Sequence, residues 1–218
     1  MPLTSEQLTK IKHYTEHLLA ADTSGHDMAH INRVVNLAKY IQYREGGDLD
    51  IILASAYLHD LIDDKIFPNP ELAKYDLQQF LMEIKIESEQ QELIFRIIEQ
   101  MSFSHQLDHA PKLSLEAKIV QDADRLDAIG AIGVARTFYY GGHKGHIMHQ
   151  PDIAPRQNLT KDDYRKGSSV INHFYEKLFK IKTTMQTQTG VELAEERTNF
   201  MDQFVNEFLR EWDFNELE

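Results

Sequence analysis

Cysteine is absent from this 218-residue chain, which excludes disulfides, thiolate-bound zinc, iron–sulfur clusters and thiol nucleophiles. Any metal must sit among imidazoles, carboxylates or neutral oxygens. Glycine and proline are scarce, at 10 and 6 residues, and are concentrated between the periodic segments. No hydrophobic run approaches a membrane span, and the amino-terminal MPLTSEQLTKIKHYTEHLLA mixes charges into its apolar positions instead of offering a signal-peptide core. A cytoplasmic protein with no membrane partner is expected. Basic residues are in deficit, with 23 Lys and Arg against 35 Asp and Glu and a formal charge of −12. That balance is the opposite of the footprint of a protein that binds nucleic-acid polymers.

What is present is helical periodicity. Apolar residues recur at spacings of three and four, predicting an all-α chain with helices near 4–20, 25–44, 48–63, 70–85, 88–100, 114–140, 160–184 and 191–213. Ser24, Asp48 and Ser114 stand where a side-chain oxygen can accept from a first-turn N–H. The chain reads as one domain over 1–218, with a site-bearing core of about 20–140, a Gly-, His- and Pro-rich loop at 141–159 and helices over 160–218. On the last segment Phe200, Phe204, Phe208 and Trp212 recur every four residues, a stripe expected to dock on Phe174, Tyr175, Leu178 and Phe179. The same stripe leaves a homodimer open.

Three clusters interrupt this pattern. In DIILASAYLHDLIDDK, an apolar run leads into His59, Asp60, Asp63, Asp64 and Lys65. Carboxylates near a helix's C-terminal end oppose its macrodipole, so either a divalent cation or a solvated helix end is implied. In SGHDMAHINRVV, His26 and His30 lie four apart with Arg33 three further on. Such a pair can chelate, and His26 can equally be satisfied by caps and water. In KIVQDADRLDAIGAIGVAR, Asp122, Asp124, Arg125, Asp127 and Arg136 lie among core-like flanks, which predicts a buried Asp124 in need of a cation.

The order His30, then His59-Asp60, then Asp124 resembles the HD-domain superfamily of metal-dependent phosphohydrolases. The surrounding stretches GHDMAHINRV, AYLHDLIDDK and KIVQDADRLDAIGAIGVARTFYYGG are similar to the small bacterial HD hydrolases of the YpgQ and YedJ type. The resemblance implies an all-α HD helical bundle with a helical C-terminal extension, and one divalent ion (Mn, Fe, Co, Ni or Mg) held by His30, His59, Asp60 and Asp124. It also implies a water-orienting carboxylate just beyond the HD pair. Asp63 is favoured for this role, with Asp64 positioning Lys65 or a histidine, and the two could be exchanged. Lys65, Arg33, Arg125, Arg136 and His26 are the candidate substrate-binding groups; Arg33 and Arg136 read equally well as structural ion-pair partners. The implied reaction is hydrolysis of a small nucleotide or other phosphorylated metabolite, preferably a nucleoside triphosphate to monophosphate and pyrophosphate. A nucleotidase or phosphodiesterase is the nearest alternative.

The remaining histidines support other readings less well. His26, His105 and His109 would be the features of a second ion or a di-iron oxygenase, but the adjacent histidine pair of the binuclear pattern is missing. A silent nucleotide-binding module is disfavoured because all four ligand positions are filled. His143, His146 and His149 are expected to be solvent-exposed or part of a lid, and His13, His17 and His173 ordinary helix-surface residues.

Overall fold

The computed structural model describes residues 2–20, 25–62, 67–101, 113–157 and 168–214. Among them the regular structure is entirely helical: α1 (Ser5–Leu19), α2 (Met28–Glu45), α3 (Leu49–Leu58), α4 (Pro70–Glu83), α5 (Ser88–Met101), α6 (Leu115–Asp127), α7 (Gly130–His143), α8 (Val170–Glu176), a 3₁₀ helix (Leu178–Thr184) and α9 (Gln188–Asp213). None of these helices is long and apolar enough to cross a membrane. The chain separates into two compact units, 1–124 and 125–218.

The first unit is built around α3. Ile51, Ile52, Leu53, Ala54, Ser55, Ala56 and Leu58 are all buried, so beyond its first turn this helix is enclosed on nearly every side. A helix that is apolar all round must be surrounded, and α1, α2 and α5 pack on it. Full burial of a side chain such as Ile52 or Leu58 stabilises the fold by about 1.5–3 kcal/mol. Side-chain caps fix where the helices begin. Thr4 and Gln7 form a reciprocal capping box at α1, Asp48 accepts from the Asp50 and Ile51 amides, and Ser114 accepts from Ala117. The α2 start differs from expectation. The helix begins at Met28 and is capped by Asp27, whereas Ser24 lies outside the described residues.

Two expected helices are broken. The predicted 114–140 helix divides at Ala128–Ile129, because Gly130 takes a φ of +79°, which L side chains rarely adopt. Gly133 seals the joint, since a Cβ there would stand 2.3 Å from the Ala128 carbonyl oxygen. In the second unit, Arg197 donates to the Leu126 carbonyl and Arg136 to the Asp127 carboxylate, so cations meet the C-terminal end of α6. The predicted 160–184 helix appears as α8 followed by the 3₁₀ turn, with 160–167 outside the described residues.

The apolar stripe of α9 is packed within the second unit. Phe204 lies against Phe174 and Phe138, with ring centroids 6.2 and 5.8 Å apart, and Phe208 lies against Phe138. Phe200, expected in this stripe, is 46% exposed, and the buried line runs instead through Ala194, Thr198, Met201 and Val205. The expected loop at 141–159 is also partly helical, because α7 continues to His143. The segment after it is tied down: the Val170 and Ile171 amides donate to the Ile147 and Met148 carbonyls, and Arg156 pairs with buried Glu176 at 2.7 Å.

Candidate metal centre

His30 is the third residue of α2, and Asp27 Oδ1 accepts its backbone N–H at 2.9 Å. The cap that starts the helix therefore also fixes the histidine. His59 and Asp60 follow the last residue of α3 and are carried inward with it, remaining only 5% and 6% exposed. The helix expected to run to 63 ends at Leu58, so both lie in the turn beyond it, where their side chains converge with His59 Nε2 3.4 Å from Asp60 Oδ1. Asp124 arrives from α6, its Oδ1 3.5 Å from His30 Nε2 and 3.7 Å from His59 Nε2. The His30 and His59 Nε2 atoms are 3.4 Å apart, and His30 Nε2 is 3.5 Å from Asp60 Oδ2.

These spacings are long for N–H···O bonds, which favour about 2.7–3.2 Å. They suit donors around one small ion: atoms about 2.1 Å from a common centre, in tetrahedral directions, are about 3.4 Å apart. Tautomer chemistry agrees. His59 Nδ1 donates to the Ala56 carbonyl at 2.8 Å, which leaves the Nε2 lone pair for an ion when the ring is neutral. Among the described residues, two triads have donor atoms close enough to share an ion, His30–His59–Asp124 and His26–His30–Asp60.

The electrostatics express the same need. Burial alone would lower the His59 pKa, but Asp60 and then Asp124 outweigh it and push it up to about 10. Burial works against ionisation of Asp60 and Asp124 as well. The adjoining histidines nevertheless hold Asp60 well below, and Asp124 below, the usual carboxylate range. Without an ion, a trapped proton supplies the positive charge that the two carboxylates require.

The structure gathers His26, His30, His59, Asp60 and Asp124, with His26 Nδ1 2.8 Å from Asp60 Oδ2. Asp63, Asp64, Lys65, His105 and His109 lie outside the described residues. Arg33 is half-buried on α2. Arg125 donates to the Thr184 carbonyl and Arg136 pairs with Asp127, so both take structural partners within the second unit. Asp124 is less buried than expected, its side chain 40% accessible; the enclosed carboxylates of that cluster are Asp122 and Asp127, at 0% and 1%. His173 is not an ordinary surface residue either, since burial and then Lys177 lower its pKa to about 4. His149, expected in solvent or a lid, is half-buried, its ring edge-on to Trp212 at 5.4 Å. The His26–Asp60 and Arg156–Glu176 partnerships had no signal in spacing, because 34 and 20 residues separate the partners.

Two histidines and two carboxylates converging from three helices of an all-α unit define a metal-centre scaffold of the H…HD…D kind. The HD domain family model matches residues 28–129, and the chain belongs to that family of metal-dependent phosphohydrolases. YpgQ of Bacillus subtilis is 39% identical over 203 residues, covering 93% of this chain and 92% of YpgQ. An HD-superfamily hydrolase from Bacillus thuringiensis superposes with a TM-score of 0.78 at 39% identity, covering 95% of this chain and 97% of that one. A structure of B. subtilis YpgQ in complex with ADP superposes with a TM-score of 0.76 at 36% identity, covering 97% of this chain and all (100%) of that one.

Proposed function

We propose that the protein hydrolyses the phosphoanhydride of a small nucleotide, converting a nucleoside triphosphate to a monophosphate and pyrophosphate. The observation that carries the reading is the convergence of buried His30, His59 and Asp60 with half-buried Asp124, whose chemistry fits one divalent ion of the Mn, Fe, Co, Ni or Mg group. When bound, such an ion polarises a phosphoryl oxygen and acidifies water. The protein's part is to hold the four donors and to orient the attacking water through Asp63, with Asp64 as the exchangeable neighbour. Lys65 supplies local positive charge to the phosphate chain in a protein of net charge −12. The ADP complex of the related YpgQ supports a nucleotide as the ligand class.

The test is a substrate screen on metal-stripped protein reloaded with each ion and offered triphosphates, diphosphates and monophosphates. Pyrophosphate and monophosphate are expected from triphosphates. Orthophosphate release with triphosphates ignored would reject pyrophosphohydrolysis in favour of a nucleotidase.

A further inference from the structure

His26 stands apart from the four converging donors. It precedes the α2 cap, and its side chain is 28% accessible, against 2% for His30 and 8% for Asp60. Its contact with Asp60 is 2.8 Å, within hydrogen-bonding range, whereas His30 and His59 stand 3.4–3.7 Å from one another and from the carboxylate oxygens of Asp60 and Asp124. An ionised carboxylate only accepts, so the bond runs from His26 Nδ1–H to Asp60 Oδ2.

Two ions do not explain this arrangement. Both candidate triads draw on the same atom, since His30 Nε2 faces Asp60 Oδ2 and Asp124 Oδ1, each at 3.5 Å. One imidazole nitrogen has one lone pair, so the triads are alternatives around a single ion. The two oxygens of Asp60 thus have different surroundings: Oδ2 takes the bond from His26 and also faces His30 Nε2 at 3.5 Å, and Oδ1 faces His59 Nε2 at 3.4 Å. We propose that His26 is a positioning residue, whose hydrogen bond fixes the plane of the Asp60 carboxylate so that it meets the ion ready-oriented. This role deepens the metal-centre reading above and rests on it. Partners that orient a ligand in this way are typically worth 10–100-fold in metal affinity.

The experiment is a Mn²⁺ titration of stripped protein, read by the electron paramagnetic resonance of free Mn²⁺, with no substrate present. His26→Leu should weaken Mn²⁺ binding about 10–100-fold. His26→Asn, whose amide N–H can stand where Nδ1 stood, should recover binding to within a few-fold of wild type. Thermal melts of the stripped variants establish that both are folded. Unchanged affinity in His26→Leu overturns the proposal, as does a His26→Asn variant no better than His26→Leu, because the imidazole would then be needed as a ligand. Two equivalents in wild type with one lost in His26→Leu overturns it in favour of a second ion. A wild type that binds no Mn²⁺ fails differently, removing the metal reading and this role together.

Discussion

A histidine offers a lone pair to an ion only when its other nitrogen keeps the proton, and the Ala56 carbonyl holds His59 in that state. The ion-free ring is nevertheless protonated through most of the pH range, with a pKa of about 10, so loading an ion must expel a proton. Apparent metal affinity should therefore rise with pH, as titrations at pH 6 and pH 8 can measure. Elemental analysis should find about one equivalent of ion in wild type and little in folded His59→Ala or Asp124→Ala; full retention in either would remove that residue from the ligand set. Asp63→Asn should keep the ion and lose turnover by about 10²–10⁴. Turnover within a few-fold of wild type would pass the role to Asp64. The four residues that converge could be picked out of the sequence through the family pattern around them, since helical geometry alone gives no reason for the side chains of adjacent His59 and Asp60 to meet. What could not be read was the bond from His26 to Asp60, which depends on how the start of α2 meets the end of α3.

Helical periodicity located α1, α2, α4 and α5 to within a few residues because each hides one face, but it ran α3 on to 63 when the helix ends at Leu58. It failed at α6 and α7. Leu126, Ile129 and Ile132 continue the apolar spacing across the break, and periodicity carries no information about backbone dihedrals. Glycine was the usable signal, since AIGAIG places Gly130 at positive φ and Gly133 against the Ala128 carbonyl. Gly133→Ala should cost about 1–3 kcal/mol, as overpacking does when backbone has to give way. Denaturant midpoints with an unchanged m-value would show it, and a cost near zero would mean the joint is looser than the 2.3 Å approach implies.

At the scale of the whole molecule, three groups with shifted pKa values pull the stability of the ion-free protein in opposite directions with pH. His173 has a folded pKa of about 4 against an ordinary 6.5, so between these values the unfolded chain binds a proton that the folded chain refuses, and stability falls as pH falls. Burial would raise the Glu176 pKa, but the bonds from Arg156 and Ser168 bring it to about 2, so its contribution is present above 4.5 and lost as pH drops toward 2. His59, raised from 6.5 to about 10, contributes fully below 6.5 and loses that contribution as pH climbs through 10. Stability should peak near pH 6.5, and Glu176→Gln should flatten the limb below pH 4.5 in thermal melts. An acid limb unchanged in that variant would count against the pairing. The clasp also has a mechanical meaning. Segment 144–157 is fastened to α8 at Ile147, Met148, Ile153 and Arg156. It can travel only as cargo of that seven-residue helix, and a protease nick between Met148 and Ile153 would leave both cut ends moored to the same two turns of backbone.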